Sequence, residues 1–171
     1  MLLPDWDLQP LGAAEFPPET GDSYYENARA KALFGRSVGP GDAWMLGEDS
    51  GVEVEALGGA PGIRSARYAL EGERAIERLL GELREVEDRA ARYVCELLLV
   101  APDGRELRGT GVLRGRIAGE PRGSEGFGYD PVFVPAGEER TVAELGDDWK
   151  SHNSHRACSA QALLRALSAE A

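Results

Sequence analysis

A long apolar stretch, a tight-turn signal and a second long stretch occupy the middle of the chain. Residues 93–101 read YVCELLLVA, Asp103-Gly104 follows, and residues 105–118 read RELRGTGVLRGRIA. Asp-Gly between two such runs is a strong short-range signal for a β-hairpin. The fold must therefore contain two long neighbouring strands, and the apolar side of that pair has to be covered by other elements.

Other segments carry the patterns of shorter strands and of helices. The strand-type segments are AWML (43–46), VEVEA (52–56) and VFV (132–134). Four segments have helix-type patterns. The first begins at Ser23, the second covers 71–87, the third lies near TVAEL (141–145), and the last runs from about Ser154 to Ser168. This mixture predicts an α/β or α+β fold with a mixed β-sheet.

Length and charge limit the classes of protein to consider. The 171 residues suit one domain or two closely merged lobes, and we predict a single domain over 1–171. The net charge of −11 disfavours binding to nucleic acid or to anionic membrane, because both rely on basic surface. A few Lys and Arg residues can still form a local nucleotide pocket.

The two cysteines, Cys95 and Cys158, lie far apart and lack the spacing of a zinc site or a small disulfide framework. We interpret both as free thiols in a reducing compartment. No segment has the pattern of a membrane span or of a signal peptide. We therefore expect a cytoplasmic protein.

Two adjacent acids, Glu48 and Asp49, are followed by Ser50-Gly51 between two predicted strands. On a turn, one carboxylate can aim at a site while its neighbour faces elsewhere. Carboxylate oxygens are the usual protein ligands of Mg²⁺, and a carboxylate beside the metal can orient or deprotonate a water. Asp, Ser and Gly are also ordinary turn formers, so a plain turn explains the same residues.

Two further features have a structural and a functional interpretation. The segment GGAPGIRSAR (58–67) can hold phosphate through free backbone N–H groups with Arg64 and Arg67, or it can be a tight loop. Glu26 lies three residues after Ser23, which is capping-box spacing. It can instead be a second metal carboxylate if its helix begins next to Asp49.

Aromatic and basic residues cluster in the last third of the chain. In EGFGYDP (125–131), an aromatic ring beside Gly128 can lie flat against a nucleobase, or the aromatic pair can simply mark the entry to a strand. KSHNSHRACS (150–159) concentrates hydrogen-bond donors at a helix start, where Ser154 is a candidate N-cap. The i, i+3 spacing of His152 and His155 is conceivable for a metal site, but a third ligand is missing nearby. Lys150, His155 and Arg156 fit better as donors to carbonyl or phosphate oxygens.

These segments together resemble the inosine triphosphate pyrophosphatase family, the pyrophosphatases of non-standard purine nucleoside triphosphates. The matching stretches are ETGDSYYENARAKA, EDSGVEVEALGGAPGIRSARYA, GFGYDP and KSHNSHR, in the family's order, and the resemblance covers about residues 17–167. It implies an elongated mixed β-sheet flanked by helices, with a nucleotide cleft between two lobes. It also implies homodimers and Mg²⁺-dependent hydrolysis of ITP, dITP or XTP to the monophosphate and pyrophosphate.

The resemblance carries roles to individual residues of this chain. Asp49 matches the proton acceptor and metal ligand, and Glu26 matches a helical Glu implicated in metal binding. The matched substrate contacts are Ser50, Phe127, Gly128, Tyr129, Asp130, Lys150, His155 and Arg156. Arg67 is a possible phosphate contact.

The chain departs from the family pattern at two places. Glu48 stands where many relatives have Asp. Family members usually begin with a strand, a Ser/Thr-x-Asn-x-x-Lys phosphate loop and a helix, whereas MLLPDWDLQP resembles the region after that helix. We therefore expect these three elements to be missing, which leaves open a nucleotide-binding protein with impaired catalysis. A separate alternative keeps the fold but acts on pyrimidine nucleotides, like the related Maf pyrophosphatases, and the GFGYDP and SHR matches argue against it.

Overall fold

The fold was obtained as a computed structural model, which describes residues 6–12, 15–16, 18–69 and 74–169. The helices are α1 (Tyr24–Val38), α2 (Ala75–Glu82), α3 (Val142–Asn153) and α4 (His155–Ser168). The strands are β1 (Met45–Val54), β2 (Ala90–Val100), β3 (Glu106–Ile117) and β4 (Phe133–Pro135). Short 3₁₀ turns cover Glu55–Leu57, Gly62–Arg67 and Asp130–Val132.

The predicted hairpin is confirmed as the centre of the sheet. β2 and β3 pair antiparallel from Ala90↔Arg116 to Val100↔Glu106, and Gly104 takes a positive φ of 89° in the turn between them. The sheet order is β1-β2-β3-β4. The α/β class is confirmed, but the mixed strand order is not found, since every strand pair in the described residues is antiparallel.

One strand replaces the turn that we predicted at Glu48-Asp49-Ser50-Gly51. β1 runs without interruption over ten residues, and Asp49 pairs with Glu96 of β2. A small residue is needed for close packing here rather than for a turn: a Cβ on Gly47 would lie 2.0 Å from the carbonyl oxygen of Ala28 in α1. Turn-forming residue types therefore serve helix–sheet contact in this strand.

Two helices cover opposite faces of the sheet. α1 packs on the face that carries Gly47 and Asp49. α4 packs on the other face, where Gly109 and Gly111 let its backbone approach: a Cβ on Gly111 would lie 1.9 Å from the carbonyl oxygen of His155. The first residues of α4 are thereby held close against the middle of the sheet.

The other predicted elements are found with shifted bounds. α1 is capped by the Ser23 hydroxyl, and α3 opens with a capping box of Thr141 and Glu144. Of the helix predicted over 71–87, only Ala75–Glu82 is helical, and positions 70–73 lie outside the described residues, as does Pro17. No helix within the described ranges is long and apolar enough to cross a membrane.

Candidate active site

Asp49 is a buried carboxylate held by two residues of α1. The residue is 6% exposed. Asn27 donates from Nδ2 to Oδ2 at 3.2 Å, and Lys31 donates from Nζ to Oδ1 at 2.8 Å. Burial raises the pKa of the Asp49 carboxyl above its ordinary value, and Lys31 opposes that shift only in part. The result is an oriented carboxylate with more basic character than a surface Asp.

Glu19 and Lys31 are functional candidates that sequence reasoning missed. The Lys31 ammonium lies 2.6 Å from Glu19 Oε1 as well as 2.8 Å from Asp49 Oδ1, so it bridges two carboxylates. Burial acts to lower the pKa of Lys31, but its hydrogen bonds to the two carboxylates outweigh this and raise it. Asn27 and Lys31 are four residues apart on α1, so their spacing on one helix face was the available signal.

Arg67 joins this cluster from the 3₁₀ turn that follows the glycine segment. Its guanidinium pairs with the second oxygen of Glu19. The side chain is half exposed, so it can exchange this partner for a ligand without desolvation of a buried charge. The structure thus brings the possible phosphate contact to the same end of the molecule as Asp49.

Glu26 does not join the carboxylate cluster. It is exposed, and its Oε2 accepts a hydrogen bond from the backbone N–H of Asp22 at 2.7 Å, while Ser23 Oγ accepts from the Glu26 N–H. Within the described residues, no contact joins it to Asp49. The geometry is that of a helix cap, and its metal role stays a prediction.

Glu48 and Ser50 point to the face opposite Asp49, because successive side chains of a strand alternate. Arg156, from the first turn of α4, donates from Nε to Glu48 Oε1 at 3.1 Å and from Nη2 to Ser50 Oγ at 2.8 Å. The two adjacent acids therefore serve different sites on the two faces of β1.

An exposed aromatic ring with two cations lies on this second face. Phe127 is 60% exposed. Lys150 Nζ lies 3.8 Å from its ring centroid, and Arg156 Cζ lies 5.0 Å from it. A planar apolar surface next to cationic donors is suited to a base that carries carbonyl oxygens on its edge.

Asp130 and Tyr129 fix the loop that presents Phe127. Asp130 is buried, and its carboxylate accepts from Lys150 Nζ, from the Phe127 N–H at 2.8 Å and from Tyr93 Oη at 3.3 Å. Tyr129 is buried and donates to the carbonyl oxygen of Ser65 at 2.9 Å. Gly128 takes a φ of 60°, which allows the chain to turn between Phe127 and Tyr129. In this geometry both side chains support the loop, and their direct contact with a base stays a prediction.

His155 is packed in a buried, neutral environment. Its ring stacks on Tyr93 with centroids 4.5 Å apart, and Nδ1 has no hydrogen-bond partner within the described residues. Burial lowers the pKa of His155 to about 3, and the nearby Arg156 and Lys150 charges act in the same direction. The residue thus lies beside the second cluster as a neutral imidazole.

A prediction follows for the titration of His155. The ring should stay neutral between about pH 5 and 8, where an ordinary His titrates. Because the unfolded chain does bind that proton, the stability that neutral His155 contributes should be lost as pH falls from the ordinary His value towards 3. NMR of ¹⁵N-labelled imidazoles measures the titration, and His155→Gln assigns the signal. A midpoint near 6.5 would contradict this environment.

The two clusters flank one edge of the sheet. β1 is an edge strand of the four described strands, and its residues 48–50 alternate between the Asp49 cluster and the Arg156 cluster. A ligand that passes around this edge can contact both faces at the same strand position. The arrangement suits an elongated molecule with a charged end and a planar end.

Comparison with known proteins identifies the family. The Ham1 family model matches residues 2–166, and the chain therefore belongs to the Ham1 family. Similar curated proteins are dITP/XTP pyrophosphatases. The one from Bdellovibrio bacteriovorus is 45% identical, over 88% of this chain and 77% of the relative. The one from Acidobacterium capsulatum is 44% identical, over 94% of this chain and 84% of the relative.

Solved structures support the same assignment. The Ham1 protein of Staphylococcus aureus has a TM-score of 0.82 and 36% identity, with 99% of this chain and 84% of that chain covered. A HAM1 protein from Coxiella burnetii has a TM-score of 0.84 and 32% identity, with 99% and 90% covered. The resemblance found in the sequence and the fold class are both confirmed.

Proposed function

We propose that this chain hydrolyses deaminated purine nucleoside triphosphates, such as dITP, ITP and XTP, to the monophosphate and pyrophosphate. The main support is the placement of two chemically different clusters on opposite faces of β1 at residues 48–50. The Asp49 cluster suits the triphosphate, and the Phe127 cluster suits the base. The names of the curated relatives agree with this substrate class.

The base cluster favours a carbonyl oxygen on the purine edge. Hypoxanthine and xanthine carry a carbonyl where adenine carries an amino group. Lys150 and Arg156 can only donate hydrogen bonds, so adenine would leave a donor and an amino group facing each other. One such unpaired buried group costs about 1–3 kcal/mol, which is enough for a preference of tenfold or more.

The phosphate end offers a proton acceptor and cations. Asp49 can accept the proton of an attacking water, because burial makes its carboxylate more basic than usual. Lys31 holds that carboxylate in place, and Lys31 and Arg67 place positive charge beside it for phosphate oxygens. Hydrolysis at the α phosphorus then releases pyrophosphate as a whole.

We also propose that Mg²⁺ acts as cofactor, held by Asp49 and Glu19. Within the described part of the chain, no group of three or more His, Cys, Asp or Glu side chains could hold a metal ion. Two carboxylates would fit Mg²⁺, which usually keeps several waters and is completed by substrate phosphates, once the Lys31 ammonium that lies between them moves to a phosphate oxygen. The ion would supply charge neutralisation at the triphosphate.

A pair of substitutions tests which glutamate serves the metal. Glu19→Gln is expected to raise the Mg²⁺ concentration for half-maximal rate by about tenfold, because one of two candidate ligand groups loses its charge. Glu26→Gln should leave that concentration unchanged, since its carboxylate caps α1. Rates measured across a magnesium titration decide between them. A larger shift for Glu26→Gln would assign the metal role as the family resemblance does.

A substrate panel tests the proposed activity. The purified chain is given dITP, XTP, dATP, dGTP and dCTP, and released pyrophosphate and orthophosphate are measured separately. Pyrophosphate from dITP or XTP, with little from dATP or dCTP, is the expected result, and dGTP, which carries the same carbonyl, measures the effect of the guanine amino group. Orthophosphate as the main product would contradict it, turnover of dCTP alone would favour the pyrimidine alternative, and IMP binding without turnover would favour a binding protein.

We further propose that the chain acts as a homodimer in the cytoplasm. The family resemblance supports the dimer. The free thiols of Cys95 and Cys158 agree with a reducing compartment. Light scattering after size-exclusion chromatography measures the oligomeric state directly.

A further inference from the structure

Glu48 is an acid that the proposed reaction does not use. It is adjacent to Asp49, yet its side chain lies on the opposite face of β1, where its neighbours are Arg156, Cys95 and Ser50. Two carboxylates on opposite faces of a strand do not share one metal ion without a break in the strand. Glu48 therefore acts on the face of β1 where Arg156 lies.

Glu48 itself is held by a short chain of contacts. The Ser159 hydroxyl of α4 lies 3.2 Å from Cys95 Sγ, and Cys95 Sγ lies 3.6 Å from Glu48 Oε1. Both Cys95 and Ser159 are fully buried. The Glu48 carboxylate therefore has a fixed support from the sheet and from α4 when it meets Arg156.

Two of the three guanidinium nitrogens of Arg156 donate hydrogen bonds to β1, and the third remains available for a ligand. The guanidinium carries five N–H donors in a rigid plane. Nε donates to Glu48 and Nη2 donates to Ser50, whereas Nη1 has no hydrogen bond to another described residue. With one end of the plane fixed on β1, the Nη1 end remains for a ligand that lies next to Phe127, whose ring centroid is 5.0 Å from Cζ.

We propose that Glu48 is a positioning residue that fixes the orientation of Arg156, so that the free donors of Arg156 select a carbonyl-bearing purine. The inference rests on the proposed function of the Phe127 cluster. Ser50 alone can hold one nitrogen, but a hydroxyl bears no charge and leaves the guanidinium free to turn about that bond. The Glu48 carboxylate supplies the second, charge-assisted contact that removes this freedom.

The test is Glu48→Gln, which keeps the size of the side chain and removes its charge. We expect the KM for dITP to rise about tenfold, the scale of a hydrogen bond to a charged group. The KM for dATP, the kcat for dITP and the magnesium dependence should stay near their wild-type values, because Asp49 and Lys31 are untouched. A changed magnesium dependence would overturn the inference, since it would make Glu48 part of the metal site.

A double-substitution cycle separates positioning from a general structural effect. In an Arg156→Gln background, Glu48→Gln should have no further effect on the KM for dITP, because its only route to the base is through Arg156. Independent, additive effects would overturn the inference. The matched control is Glu106→Gln, which also breaks a Glu–Arg pair, with Arg29, at the first residue of β3. It should leave both KM values unchanged.

Binding of IMP by calorimetry makes the inference testable apart from catalysis. If the wild type binds IMP but turns over no triphosphate, the proposed activity fails while the inference is still decided. In that case Glu48→Gln should weaken IMP binding about tenfold, with no such loss for Glu106→Gln. Equal IMP affinity of wild type and Glu48→Gln would overturn the positioning role.

Discussion

Replacing Asp49 by Asn is expected to lower the kcat for dITP by about a thousandfold, the scale for loss of a positioned proton acceptor. The amide keeps the size and shape of the side chain, but it cannot take a proton from water, and its NH2 group would face one of the two donors, Asn27 Nδ2 or Lys31 Nζ. The substitution would also remove the negative charge that pairs with the Lys31 ammonium. Pyrophosphate release under saturating dITP measures the effect.

The fold should survive this substitution. Asp49 is buried with a raised pKa, so its charge is not a source of stability, and the neutral amide should cost only the hydrogen bond that its NH2 group cannot accept, about 1–3 kcal/mol. Circular dichroism and the melting temperature check this. A matched variant on the same strand is Glu53→Gln, which removes a carboxylate paired with Arg92 and should keep its activity. Activity of Asp49→Asn within tenfold of wild type would assign the proton acceptor to another group.

The largest effect on stability is expected for Gly111→Ala. The new Cβ would lie 1.9 Å from the carbonyl oxygen of His155 and 2.4 Å from the amide nitrogen of Ser159, so it would meet helix backbone that cannot rotate away. α4 must then move off the sheet. We expect a loss of about 3 kcal/mol of unfolding free energy, or roughly 9 °C in Tm for a chain of this size. Urea unfolding and thermal melts measure both.

Gly81→Ala is the matched control. Gly81 lies in α2, and a Cβ there would have no neighbour within 4 Å. The substitution should leave stability unchanged or raise it by up to about 1 kcal/mol, because Ala favours a helix over Gly. If Gly111→Ala proved as mild as Gly81→Ala, the close contact between α4 and β3 would be wrong. Since Arg156 and His155 move with α4, Gly111→Ala should also weaken IMP binding.

Local patterns were sufficient to predict the hairpin but not the course of β1. Asp103-Gly104 marks a turn whose partners are adjacent in sequence, so a local signal was enough. Asp49-Ser50-Gly51 also contains residue types that are common in turns, but it lies inside β1. The glycines of this strand, Gly47 and Gly51, make room for α1 and for the 3₁₀ turn at Gly62–Arg67. Such tertiary contacts leave no periodic signal in the chain.

Most residues of the candidate site were predicted from the sequence, but their arrangement was not. Asp49, Ser50, Phe127, Lys150 and Arg156 all lie at the two clusters beside the edge of β1. Glu19 was missed because it precedes α1 in an irregular segment, where side-chain direction follows no period. Tyr129 and Asp130 were assigned to the base, whereas burial and hydrogen bonds make them the support of the Phe127 loop in this structure.

The alternation of β1 also determines which mutations this strand can accept. Substitutions at Glu48 or Asp49 affect one cluster at a time, because each side chain serves one face. A single inserted or deleted residue before Asp49 would instead turn every following side chain to the other face, so that the Asp49 carboxylate would face α4 and Arg156. Both halves of the site would fail together. The length of this strand is therefore under a stricter constraint than the identity of most of its residues.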